Sequence, residues 1–185
     1  MKLFKCRICR DPYIGTNKPS HCPYCGAPQS YIVSAWGLEE DDDFELSELS
    51  RANLEHALML ENSNALFYRC AKEVSADEGL SLMFKALAKI EAEHASIIRK
   101  VLGLPRPTEI EDCRGRCHAW EQANLSEAND REKKAIDFYL KSAEEAVEPR
   151  VKEVFSALVE IEKTHLELLG SVAESLADLV RNHTI

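Results

Sequence analysis

The sequence lacks any long apolar run. No stretch approaches the roughly 18 to 20 consecutive apolar residues that a membrane-spanning helix requires, so no membrane association is expected. The opening MKLFKCRICR holds no apolar core of a secretory signal, and the expected location is the cytoplasm. Basic residues are in deficit: 23 Lys and Arg against 32 Asp and Glu leave a net charge of −9, which argues against nucleic acid as a partner. An even cysteine count is also missing. Four of the seven cysteines stand in two CxxC pairs, which in a reducing compartment reads as metal binding rather than a disulfide framework. With 185 residues, 45% of them hydrophobic, the chain has room for one domain with a real core and one small module.

What is present is a buried stripe with charges in it. Leu54, Leu58, Glu61, Ala65 and Tyr68 advance by fours and threes, the seam of a packed helix with a carboxylate in its middle. Phe84, Leu87, Glu91, His94, Ile98 and Val101 make a second seam, where Glu91 and His94 lie one turn apart on one apolar face. Both ligand types point inward.

Both seams recur. Leu125, Glu132, Ile136 and Tyr139 repeat the first, and Phe155, Leu158, Glu162, His165, Leu169 and Val172 repeat the second. The pairs 61/132, 68/139, 84/155, 91/162 and 94/165 are all 71 residues apart, as are Asn53-Leu54 and Asn124-Leu125. This is an internal duplication of a two-helix unit, and two such hairpins make a four-helix bundle.

The duplicated unit converges on six side chains: Glu61, Glu91, His94, Glu132, Glu162 and His165. One Glu from each of two helices plus Glu-x-x-His from the other two is the layout of ferritin-like di-metal carboxylate proteins. Four carboxylates and two divalent ions also cancel in charge, whereas four anions alone in a dry core would be costly. Glu61 and Glu132 are expected to bridge the metals. Iron, manganese or zinc suits the ligand set, and only the first two bring redox chemistry. Tyr68 and Tyr139 follow their glutamates by two turns, and read either as core packing or as a hydrogen bond or electron donor beside the metals.

The domain boundaries expected are 1–35 for a cysteine module, 36–44 for an acidic linker and 45–185 for the bundle. In the module, Cys6, Cys9, Cys22 and Cys25 offer a tetrahedral thiolate set for zinc or a single iron. Trp36 is expected to pack across the join between module and bundle. Helices are expected over 45–74, 80–102, 123–147 and 149–181, with 75–79 as a turn. A long crossover before the third helix makes the second and third parallel.

CPYCGAP, at Cys22 to Pro28, resembles the second knuckle of rubredoxin-type modules, which hold one redox-active iron. Taken with E-x6-Y and E-x-x-H in duplicate, nearly the whole chain resembles the rubrerythrin family, here with the module first, as in reverse-order rubrerythrins. The resemblance implies an all-α fold: a ferritin-like four-helix bundle with a long crossover, preceded by a small rubredoxin-like module of four cysteines. It implies two irons at the six ligands, which are the catalytic residues of a peroxidase that reduces hydrogen peroxide. It implies a relay at Cys6, Cys9, Cys22 and Cys25, fed by an electron-donor protein or reductase. Rubrerythrins carry another glutamate three residues after the third-helix ligand; here that place is Ala135, and its counterpart is Asn64. The expected site is therefore the symmetric six-ligand version. In the module, Arg10 stands after the first cysteine pair; where rubredoxin-type modules, which the segment resembles, have glycine in a left-handed turn, a side chain would cost about 1 kcal/mol.

Cys113, Cys117 and His118 in the crossover are open to a further metal, a reversible disulfide, a peroxide-sensitive dithiol or inert thiols. Cys70 reads as a plain packed thiol; His21, His56 and His183 read as surface residues. A homodimer is expected, and the long crossover leaves open an exchange of helix pairs between protomers. Two rivals to the peroxidase remain: a ferroxidase consuming oxygen or peroxide, and a metal-binding protein whose zinc knuckle relays nothing.

Overall fold

The computed structural model describes residues 1–36, 44–109 and 111–182, with side chains for all of these except 176–180 and 182. Four helices carry most of the chain: α1 Glu48–Val74, α2 Glu78–Leu102, α3 Glu121–Glu145 and α4 Pro149–Asn182. Ahead of them, β1 Lys2–Cys6, β2 Pro12–Gly15 and β3 Ile32–Ser34 form an antiparallel sheet in the order β2-β1-β3. The architecture is the expected bundle behind a small cysteine module, with a short sheet in the module that sequence pattern did not resolve. Among the described residues no helix is long and apolar enough to cross a membrane.

Caps account for where the helices begin. Ser47 Oγ accepts from Ser50 N–H at 3.2 Å, and the buried Glu148 carboxylate accepts from Ser47 N–H at 2.6 Å. Helix α1 therefore opens at Glu48, three residues later than the acidic run suggested. Asp77 caps α2 by accepting from Leu80 N–H at 2.8 Å. Gly79, expected in the turn, lies inside the helix as a result. Helix α3 starts at Glu121, ahead of the expected 123, because Trp120 stands at its N-cap with no side-chain hydrogen bond to mark it.

Two reciprocal contacts set the helix directions. Tyr68 of α1 bonds Glu132 of α3, and Tyr139 of α3 bonds Glu61 of α1, so these helices run antiparallel. Since α2 returns along α1, it runs parallel to α3, as the long crossover requires. That crossover is pinned to α1 by a disulfide between Cys70 and Cys117, 47 residues apart in sequence with Cα atoms 5.6 Å apart. Cys70 is thus not the plain thiol expected of it. Its partner comes from a distant segment that only the folded crossover brings near, and Cys113 remains a free thiol.

Module and bundle share a core. Ile8, Ile32 and the four module cysteines join one buried cluster with Ile97, Ile98, Val154, Phe155 and Ile161 of α2 and α4. The repeat-related Phe84 and Phe155 are fully buried, each contributing about 1.5–3 kcal/mol. Arg150 clamps the module by donating to the carbonyls of Arg7 and Ile8 at 2.6 and 2.7 Å. Trp36, expected to pack across this join, is instead 79% exposed. Glu39 to Asp43 of the acidic linker, and His183, lie outside the described residues.

Candidate metal centres

The four module cysteines are buried and face one another, with Cys6 Sγ 3.8 Å from Cys25 Sγ and Cys9 Sγ 3.7 Å from Cys22 Sγ. Each CxxC pair ends in a left-handed residue: Gly26 at φ 77° and Arg10 at φ 70°. The second knuckle has the residue suited to that conformation and the first does not. Left to themselves, the thiols share hydrogen bonds that pull Cys6 and Cys22 down and push Cys9 and Cys25 up. Their ligand atoms lie close enough together to hold one ion. Asp11 and Glu93 gather beside Cys9, a grouping that spacing along the chain gave no sign of.

The second centre lies in the bundle. Glu61, Glu91, His94, Glu132 and Glu162 are fully buried and His165 is 4% exposed. They fall into two groups that could each hold an ion: Glu61, Glu91, His94 and Glu162, and Glu91, Glu132, Glu162 and His165. Glu91 and Glu162 belong to both. The carboxylates common to both groups are those of Glu-x-x-His, so Glu91 and Glu162, rather than Glu61 and Glu132 as expected, would be placed to bridge a pair of ions, each of the latter serving one group. Helical spacing assigns a residue to a face, and only the closure of four helices decides which face atoms meet.

His94 Nδ1 stands 3.6, 3.5 and 3.4 Å from carboxylate oxygens of Glu61, Glu91 and Glu162. His165 Nδ1 stands 3.2, 3.9 and 2.8 Å from those of Glu91, Glu132 and Glu162. The two imidazoles lie near-parallel, centroids 6.0 Å apart. Polar atoms in this cluster are conspicuously unpartnered: Glu61 Oε2, both oxygens of Glu91 and of Glu162, Glu132 Oε2 and both histidine Nδ1 atoms make no hydrogen bond among the described residues. Buried polar atoms of this kind cost about 1–3 kcal/mol each unless something else binds them. A pair of cations fits that need, and the donor set suits iron.

Protons fill part of the same role. Burial and the neighbouring Glu91 charge push Glu61 well up, and burial with Glu162 does the same to Glu132. Burial opposes charge on His94 and His165, yet the surrounding glutamates win and raise both. Tyr68 and Tyr139 are raised by burial and by Glu132 and Glu61, so their hydroxyls stay protonated and donate to those carboxylates. Each tyrosine holds a ligand glutamate of the other repeat, which selects the hydrogen-bonding reading over plain packing.

The two centres touch. His94 Nε2 and the Cys25 carbonyl oxygen are 3.0 Å apart, so the ring donates from Nε2 and turns its Nδ1 toward the carboxylates, where it could ligate an ion. Gly26 permits that approach, since a Cβ there would already stand 3.3 Å from Ile161 Cγ2.

Comparison with known proteins agrees with this geometry. The Rubrerythrin family model matches residues 52–173. Reverse rubrerythrin-1 of Clostridium acetobutylicum is 31% identical over 118 residues, covering 56% of this chain and 63% of that protein. The chain thus spans less than two thirds of that relative's length. A solved structure, a hypothetical protein from Pyrococcus furiosus, matches with a TM-score of 0.59 over 70% of this chain and 91% of its own, at 23% identity, a likeness of fold. With the family model covering well over half of its residues and the cysteine module placed ahead of the bundle, the chain belongs to the rubrerythrin family.

Proposed function

We propose that the protein is a non-haem di-iron peroxidase. It reduces hydrogen peroxide to water at the bundle centre with electrons passed through the cysteine module. The supporting observation is the hydrogen bond between the Cys25 carbonyl and His94 Nε2. It joins a thiolate ligand residue to a ligand imidazole within one chain, giving an electron a short route through bonds. A storage ferroxidase has no need of such a link.

Iron at the six ligands would supply two one-electron oxidations, matching the two electrons and two protons that turn one peroxide into two waters. The chain's own residues do the rest. Glu61, His94 and Glu132, His165 each serve one half-site, while Glu91 and Glu162 hold the halves together. Tyr68 and Tyr139 fix the unshared carboxylates from across the bundle and keep a proton beside each. Phe84 and Phe155, ring centroids 6.0 and 5.8 Å from those tyrosines, keep water out. Cys6, Cys9, Cys22 and Cys25 hold the relay iron, fed by an electron-donor protein, and the working unit is a homodimer.

Protein purified without oxygen is expected to contain iron in both centres and to consume peroxide catalytically with a reduced rubredoxin-type donor. Stoichiometric oxidation of added ferrous iron without donor-driven turnover would establish the ferroxidase instead. Zinc in the thiolate centre would remove the relay.

A further inference from the structure

Pairs of residues 71 apart in sequence mark the axis that relates the two half-sites. On the α2/α4 face, Ile90 and Ile161 flank Gly26, so the module closes that end. On the α1/α3 face, a hollow of about 160 Å³ is lined by Leu60, Asn64, Glu127, Arg131, Lys134 and Ala135. Leu60 and Arg131 are repeat equivalents, and so are Asn64 and Ala135; the hollow therefore straddles the axis. Asn64 follows Glu61, and Ala135 follows Glu132, by one helical turn, about 5 Å along each helix. Both residues are buried. The floor of the hollow thus lies one turn from each unshared ligand carboxylate.

Arg131 crosses this opening. Its Nε pairs with Glu127 at 2.9 Å, and its Nη1 donates to Ser63 Oγ and Asn64 Oδ1, each at 3.2 Å. The guanidinium carbon lies 4.5 Å from the Phe67 ring centroid. Its Nη2 makes no hydrogen bond to a described residue. The first repeat has Leu60 at the equivalent place, so packing alone does not demand an arginine. With Lys134, the lining carries two cations against one carboxylate, in a chain of net charge −9. That sign repels ferrous iron, and it offers donors to the oxygens of a small polar oxidant or anion.

We propose that this hollow is a binding site for small hydroperoxides and small anions, by which oxidant reaches the metal pair from the face opposite the cysteine module. Arg131 is its positioning residue, and ferrous ions take another route. The inference rests on the peroxidase reading only for the metal pair and the identity of the oxidant.

The test uses the full chain loaded with iron, with azide as the probe. Arg131→Gln is expected to raise both the half-saturating azide concentration and the KM for hydrogen peroxide about tenfold, the loss expected of one charge-assisted hydrogen bond. Its kcat should stay that of the parent. Leu60→Trp, which fills the hollow from a partly buried rim position, is expected to slow azide binding and peroxide oxidation together. It should leave the rate of ferrous loading of the metal-free chain unchanged. Azide binding unaltered in both variants would overturn the proposal, as would Leu60→Trp slowing ferrous loading as much as azide binding. If the parent shows no peroxide turnover, the peroxidase reading fails, and azide still decides the site. Weakened binding in Arg131→Gln then supports it, and unchanged binding overturns it.

Discussion

The two hairpins present the same ligands at the same spacing, yet their surroundings differ. His94 Nε2 is tied to the Cys25 carbonyl, while His165 Nε2, also buried, makes no hydrogen bond to a described residue. Cys70 closes a disulfide, whereas its repeat equivalent Lys141 is exposed and stands 3.7 Å from Glu145. Asn64 faces Arg131, and its equivalent is Ala135. Duplication preserved what ligates. The crossover is tied to the first hairpin at Cys70, and the module, packed between α2 and α4, bonds the imidazole of the first hairpin only, so a site symmetric in its ligands is asymmetric in what surrounds it.

The largest test separates shared from unshared ligands. Glu91→Ala or Glu162→Ala is expected to lose both bundle metals and all peroxide turnover. Glu61→Ala or Glu132→Ala is expected to lose one ion per chain, with the cysteine module still loaded in every case. Metal analysis reads this directly, and equal losses in all four variants would erase the distinction.

The disulfide belongs to one hairpin only. Cys70→Ser is expected to lower unfolding free energy by about 2–4 kcal/mol, as for a loop of this length, while Lys141→Ser changes it by less than about 0.5 kcal/mol. Denaturant unfolding of metal-loaded protein would show both. Matching midpoints would mean the crossover is held by other contacts.

The two cysteine knuckles offer a smaller contrast. Gly26→Ala is expected to cost about 1–2 kcal/mol for a side chain in the left-handed region. It should also slow reduction of the bundle metals by the module, followed by stopped flow, since the Cys25 carbonyl must shift from His94. Arg10→Gly, at the matching place, is expected to stabilise by about 1 kcal/mol. A loss there would show that the Arg10 side chain holds the module more than its backbone strains it.

The weakest effect is on pH. Both imidazoles are held above their ordinary 6.5, burial opposing and the glutamates prevailing. A raised folded-state value stabilises fully below 6.5 and fades as pH climbs through it. Metal-free protein should therefore melt at lower temperature at pH 8 than at pH 6. Metal-loaded protein should shift the other way, because ligation needs neutral imidazole. Calorimetry of both forms checks the sign.

Much of the site was legible before folding. A glutamate or histidine on an apolar helical seam needs an inward reason, and the recurrence of Glu61, Glu91 and His94 as Glu132, Glu162 and His165 made the reason a paired metal centre. CxxC spacing placed the thiolates equally well. That Glu91 and Glu162 rather than Glu61 and Glu132 are common to both groups was not legible, because a seam carries no information about which oxygen meets which partner across the bundle. Cys70 was misread for a related reason: nothing within α1 distinguishes a thiol that packs from one that pairs with a residue 47 positions away. Trp36 shows the reverse, an aromatic expected to pack across the join that the fold leaves exposed.

From its sequence alone, this protein's repeat, its helical seams and its ten candidate ligand residues could be read, since periodicity and CxxC turns are properties of a few consecutive residues. The rest only the tertiary structure decided: the sharing of Glu91 and Glu162, the exchange of tyrosines between repeats, the seat of Cys25 against His94 and the open end of the axis at Arg131. Those depend on the distance between segments far apart in the chain, and that distance exists only once the helices have closed on one another.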